Sequence, residues 1–171
     1  LDGKVTLEGD EEVDSRAYLM TLAEGIVDEN IQTCCGEDTD PEDWDTSALR
    51  QRVAETFGLD DDTLNAINLD DRSAGEMHRA LWEAAEQKYA DKEDVIDASV
   101  LRRVERDVML QVVDSQWKDH LYGLDHLKEG IGLRGYGQRN PLVEYKRESF
   151  TMFQAMKERI DDETVRYLWR L

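Results

Sequence analysis

Proline is scarce in this chain of 171 residues: Pro41 and Pro141 are the only two. That scarcity excludes a proline-rich, loop-dominated chain and leaves room for long uninterrupted helices. Cysteine is equally sparse, and the two present, Cys34 and Cys35, are neighbours. A bridge between adjacent cysteines is strained and closes no useful loop, so a disulfide scaffold is excluded and a reducing cytoplasm fits best. No apolar run approaches the roughly 20 residues that span a bilayer, and no basic-then-apolar leader opens the sequence. The first residue is Leu rather than Met, which suggests a piece of a longer protein.

Positive charge is missing from one part only. Residues 1–99 hold 8 Lys/Arg against 28 Asp/Glu, whereas residues 100–171 hold 13 against 12. The acidic part should be repelled by nucleic acid and by anionic lipid alike, and nucleic acid is not an expected partner. What is present is 40% hydrophobic residues, enough for one modest core or two small ones, arranged at helical spacing. The fold class is therefore all-α: a small acidic helical subdomain over residues 1–97, then a long antiparallel two-helix hairpin over residues 98–171.

In the acidic part, Val5 and Leu7 among glycines suit a short extended lead-in. A helix starts at Asp14 or Ser15, with Val13, Ala17, Met20, Val27 and Ile31 on one stripe and Leu19, Leu22, Ala23 and Ile26 beside it. Gly36 is placed to end it in a left-handed cap. A second helix from Thr46 carries Leu49, Val53 and Phe57 and stops at Gly58, and a short piece covers Asp60 to Ile67. Ser73-Ala74-Gly75-Glu76 reads as a capping box opening a helix to about Ala90, with Met77, Leu81 and Tyr89 on its buried side. A boundary follows, in the polar stretch before Val95-Ile96.

The long helix beyond it shows two apolar stripes. Leu101, Val104, Val108 and Val112 make the first; Met109, Val113, Trp117, Leu121, Leu124 and Leu127 make the second, roughly opposite. Asn140 as N-cap and Pro141 at the first helical position open the returning helix, whose single stripe includes Leu142, Tyr145, Met152, Phe153, Met156 and Ile160. Trp117, Leu121, Leu124, Tyr145, Phe153 and Met156 are the expected hairpin core. The two-sided helix needs a second cover, so self-association through exposed helix faces is also expected.

Several chemical motifs fail on their context. Asp38, Asp40 and Glu42 alternate like calcium ligands, but Asp43 stands where such a loop needs glycine, which leaves a solvated loop anchored by Trp44. His78, His120 and His126 show no zinc spacing. Gly130-Ile131-Gly132-Leu133-Arg134-Gly135 matches the dinucleotide pattern letter for letter, yet a helix precedes it instead of a strand. The glycines read instead as a turn over about 130–140 that presents Tyr136. Arg102, Arg103 and Arg106 are too few and too mixed with acids for nucleic acid. Lys118 and Asp119 read as an exposed pair of small effect.

Met109 to Phe153, with Asp114-Ser115-Gln116-Trp117-Lys118-Asp119-His120-Leu121, Leu133-Arg134-Gly135-Tyr136 and Glu144-Tyr145-Lys146-Arg147-Glu148-Ser149-Phe150, resembles SecA, the ATP-driven motor family of bacterial preprotein export. The resemblance is strong over about 98–171 and looser over about 10–97, which is similar to that family's helical wing domain. It implies that 98–171 is the C-terminal part of the helical scaffold, including the two-helix finger that enters the cytoplasmic mouth of the SecY channel and also regulates ATPase activity. By motif match the finger's tyrosine is Tyr136. Ile131, Leu133, Arg134, Gln138 and Arg139 join it as the expected surface for channel and preprotein, apolar and hydrogen-bonding without side-chain specificity.

The resemblance also implies what this stretch lacks. No Walker A lysine motif occurs, so no catalytic, cofactor or metal residue is expected here, and ATP and magnesium belong to the parent motor. Its place would be the cytoplasm, peripheral at the inner face of the plasma membrane. Gly123 and Gly137 depart from the family's usual alanines; in a helix interior glycine costs about 1 kcal/mol. The alternative reading, from the residues alone, is a free-standing acidic helical adaptor that binds partner helices through the uncovered stripe.

Overall fold

The computed structural model describes residues 4–6, 12–36, 39–134 and 140–171. Helix dominates them. A short antiparallel ribbon comes first, β1 (Lys4–Thr6) against β2 (Glu12–Asp14), with Val5 opposite Val13. Leu7 and Asp38 lie outside the described residues.

Helix α1 (Ser15–Cys35) follows β2 directly, with the Asp14 carboxylate accepting from the Arg16 amide as N-cap. Both of its adjoining stripes are buried, Leu19, Ala23, Ile26, Val27 and Ile31 among them, while Ala17 is exposed. The expected left-handed cap at its end is absent: Gly36 has φ −62° and ψ 153°, extended backbone, and what favours glycine there is the Gln32 carbonyl oxygen, 2.7 Å from where a Cβ would stand. The chain simply leaves the helix there and returns through the Asp45 amide, which donates to the Cys34 carbonyl at 3.0 Å. Burial pushes both thiols, Cys34 and Cys35, up, which makes them poor nucleophiles.

Helix α2 (Thr46–Phe57) starts on Asp45, whose side chain accepts from the Ala48 amide, and stops at Gly58 with φ 63°. Only glycine takes that conformation without strain. Leu49, Val53 and Phe57, at steps of four, are all fully buried. Helix α3 (Asp61–Ile67) and a single 3-10 turn at Leu69–Asp71 lead to α4 (Ala74–Val95), opened by the complete Ser73–Glu76 capping box. Helix α4 outruns the expected end near Ala90 because Asp91-Lys92-Glu93-Asp94 holds neither glycine nor proline, and Lys and Glu are good helix formers.

Two long helices complete the chain, α5 (Ala98–Arg134) and α6 (Pro141–Arg170). At 37 and 30 residues they run about 55 and 45 Å. Asp97 caps α5 by accepting from the Ser99 amide at 2.9 Å, and Asn140 caps α6 by accepting from the Leu142 amide at 3.0 Å. A turn at Ile96–Asp97 separates α4 from α5, and the chain divides into compact units at other points. One unit is Leu1–Asp107 with Val165–Leu171, the other Val108–Thr164, so the division falls within both long helices.

The first unit is built on α1, α2 and α4, and the end of α6 plugs into it. Trp169 is fully buried, with its indole N–H donating to the Ala85 carbonyl at 2.9 Å. Its ring meets Phe57 edge-on at 5.7 Å and Tyr89 at 4.5 Å between centroids. Val165 and Leu168 are likewise at 0% exposure. Two lysines of α4 close helix ends around this cluster: Lys88 donates to the Gly58 carbonyl and Lys92 to the Leu168 carbonyl. Cations at C-terminal carbonyls are favourable in kind.

Burial exacts a cost from Lys92. Its ammonium lies 5.6 Å from the Tyr89 ring centre, and desolvation, helped by neighbouring Lys88, pushes its pKa down to about 8. An unfolded lysine holds its proton to about pH 10.4. Between those values the unfolded chain binds the extra proton, so stability from this group rises with pH across the window. In urea titrations at pH 8 and 10, wild type should gain on Lys92→Met as pH rises; a constant difference between them would contradict the assignment.

Candidate functional site

Of the expected functional residues, Ile131, Leu133 and Arg134 and the hairpin positions from Trp117 to Met156 fall on the parts of α5 and α6 that belong to the second unit. Three positions on α5 locate their packing. The Gln116 amide donates to Glu163 at 2.9 Å and its oxygen accepts from the Arg159 guanidinium at 2.9 Å. The His120 ring lies 5.9 Å from Phe153 and 5.7 Å from Trp117. At Gly123 an added Cβ would stand 2.6 Å from the end of Met152. As positions rise along α5 their partners fall along α6, the order of two helices packed antiparallel.

The seam between them is part polar, which the apolar stripes conceal. Val112, Gln116, His120 and Ile131 of α5 are buried, with Met156 of α6. Val112, Gln116 and His120 succeed one another at steps of four, so the buried face continues the first stripe through two polar residues. The second stripe is correspondingly turned away: Trp117 is 44% and Leu121 46% exposed, and neither is core. Phe153 is also exposed, at 39%. Leu124 and Tyr145 are half-buried, and of the six expected core residues only Met156 is fully inside. Leu110 and Val113 extend the exposed stripe toward the first residues of the unit.

Sequence reasoning missed Gln116 and His120 because it counted only apolar residues. The steps of four leading on from Val112 were the available signal. Gln116 satisfies its amide on both sides across the seam. His120 does not: its Nδ1 is buried and has no hydrogen-bond partner. Lys118 pairs with Asp114 at 2.6 Å, one turn back on the same exposed face, rather than forming a pair with Asp119. Such a pair is worth only a few tenths of a kcal/mol.

The expected contact surface fares unevenly. Helix α5 runs on through Gly130 and Gly132 to Arg134, so the break begins later than residue 130. Neither glycine meets crowding or a positive φ, and a helix tolerates both at modest cost. Ile131 is 6% exposed and belongs to the helix, not to a contact surface. Leu133 and Arg134 fall in the last turn of α5, their side chains outside what is described; Tyr136, Gln138 and Arg139 lie outside the described residues altogether.

Among the described residues no cluster of three or more His, Cys, Asp or Glu side chains could hold a metal ion, and no helix is long and apolar enough to cross a membrane. A cleft in the first unit, lined by Thr46, Arg50, Leu64, Asn68 and Asp70, is bridged by the Thr46 hydroxyl donating to Asp70 at 2.6 Å. Arg50 donates to Asp61 at 3.2 Å and Asn68 to Asp71 at 2.7 Å, and the cleft offers no reactive constellation.

The family model described as SecA Wing and Scaffold domain matches residues 4–171. The chain belongs to this SecA family. Among SecA relatives, the protein translocase subunit SecA of Solibacter usitatus is 44% identical over 165 residues, 96% of this chain and 16% of that protein. Those of Acidobacterium capsulatum and Syntrophobacter fumaroxidans are 41% and 42% identical, covering 89% and 88% of this chain and 15% and 17% of theirs. The chain thus spans about a sixth of the length of these SecA relatives, and every helix described above lies inside the matched span.

One seam contact in this SecA chain is open to direct test. Gly123→Ala gains helix propensity of up to about 1 kcal/mol, less what it takes to move the flexible end of Met152. A small net gain in chemical-denaturation midpoint is expected; a loss would show that Met152 is locked in place.

Proposed function

We propose that this chain is the wing and scaffold portion of a SecA protein-export motor, non-catalytic by itself, whose helix pair engages the SecY channel and the translocating preprotein at the segment joining α5 to α6. The match of the family model across residues 4–171 carries this reading. The relatives' shared name, protein translocase subunit, supports the export role. Physical chemistry supports the mechanical form. Two antiparallel helices joined by a short segment transmit force along their axes, because each backbone is braced by its own hydrogen bonds and by the seam.

In this reading Tyr136 makes the contact with polypeptide. Leu133, Arg134, Gln138 and Arg139 surround it, while Ile131 takes no part because it is buried. A phenol ring offers broad apolar area with one polar tip, which suits a surface that must meet many sequences. ATP and magnesium act in the rest of the motor, and this portion regulates that ATPase by its position. The motor then works from the cytoplasm, peripheral to the inner face of the bacterial plasma membrane.

A second reading, a free-standing acidic adaptor binding partner helices, is favoured by the exposed stripe of Leu110, Val113, Trp117 and Leu121. The native reading frame separates the two, since an adaptor's would end near these termini.

The test of the first reading is Tyr136→Ala in the full-length motor. Preprotein transport into inverted membrane vesicles should fall at least tenfold while the urea midpoint of this 171-residue portion stays within experimental error. Undiminished transport at normal expression would defeat it.

A further inference from the structure

The ends of the two long helices are seated on α4 by opposite kinds of chemistry. At the C-terminal end of α6, Val165, Leu168 and Trp169 are all fully buried, and their seat is apolar apart from the indole and Lys92 hydrogen bonds. At the start of α5, over residues 98–107, Leu101 is the one fully buried apolar residue, and Glu105, a carboxylate, is buried just as completely. Glu105 accepts from the Ser15 hydroxyl at 3.2 Å, from the Tyr89 phenol and from Arg102. Arg102 also donates to Glu93 of α4, and Glu93 accepts from the Arg16 guanidinium at 2.9 and 3.0 Å.

The result is a chain of alternating charge, Arg16, Glu93, Arg102 and Glu105, that ties α1, α4 and the first turns of α5 together. Only Glu105 is fully buried, while Arg16, Glu93 and Arg102 stay partly in solvent; ion networks of this sort contribute little net stability, because desolvation and screening offset most of the Coulomb gain, and what they impose is geometry. Removing Arg102 leaves the buried Glu105 carboxylate without a cation, which favours releasing the start of α5 to water. An apolar seat behaves otherwise, since its loss scales smoothly with area.

We infer that the Arg16–Glu93–Arg102–Glu105 chain is a releasable latch: the start of α5 can detach from α1 and α4 as a unit while the end of α6 remains seated through Trp169. Tyr89 stands between the two, its hydroxyl on the ionic side and its ring against Trp169. The device makes one root of the helix pair conditional and the other fixed. Arg102 is its pivot, because it alone in this chain joins Glu93 on α4 to Glu105 on α5.

Hydrogen–deuterium exchange with mass spectrometry on the 171-residue chain tests it, comparing wild type with Arg102→Met. Peptides covering 98–107 should exchange at least tenfold faster in the variant, and those covering 165–170 should stay within about twofold of wild type. Unchanged exchange over 98–107, or equal acceleration at both ends, would overturn the inference. If circular dichroism shows Arg102→Met unfolded, Glu93→Gln decides: it keeps shape and hydrogen bonding while removing one charge. The same one-sided acceleration, at least threefold, is expected there, and a uniform or absent change would be fatal to the latch.

Discussion

Two helices longer than any other element of this chain have to be held by their ends. That constraint organises the first unit. An isolated helix is marginal in water, and most helical stability in proteins comes from burying a face against something else. Here α4 supplies it. Tyr89 at 0% exposure meets Trp169 on one side and Glu105 on the other, so a single aromatic residue touches what begins α5 and what ends α6. Helix α1 packs against both α2 and α4, with Leu19, Val27, Leu49 and Phe57 all fully buried, and Phe57 meets Trp169 edge-on.

Within the second unit the helices hold each other more loosely. Their seam mixes Val112 and Met156 with Gln116, Arg159 and Glu163, and it leaves Trp117, Leu121 and Phe153 partly in solvent. Polar groups that satisfy each other across a seam fix register better than they add stability, since a slip of one turn would strand them. A pair built this way keeps its alignment under load without a large apolar core. That property suits a part whose proposed work is mechanical.

Much of this was legible in the residues. The caps were plainest: Ser73 with Glu76, Asn140 with Pro141, Asp14 and Gly58 all behave as short-range hydrogen-bonding and backbone rules require. The apolar steps of four in α2 were equally clear. The all-α class followed from the shortage of breakers, and the small ribbon at Lys4–Thr6 and Glu12–Asp14 is its one departure among the described residues. Membership of the SecA family was readable from the polar run around Trp117 and from Glu144 to Phe150, which periodicity does not dictate. The illegible part was which face of α5 goes inside. Glu105, Gln116 and His120 are buried and polar, and a reading that counts only apolar residues ends the first stripe at Val112 and assigns Trp117 to the core. Gly130 and Gly132 misled for a related reason, because glycine permits a turn but does not compel one.

The central claim, that the long helices are anchored at their ends on α4 and only lightly along their lengths, has a direct measurement. Residue-resolved amide exchange by NMR on the unmodified chain ranks local stability across the whole molecule. The account places the slowest amides at Leu81 to Tyr89 and Val165 to Trp169, with those of α5 and α6 between Val108 and Thr164 exchanging faster. If the slowest amides fell instead between Val112 and Met156, the helix pair would be the stable core and the anchoring at α4 its consequence.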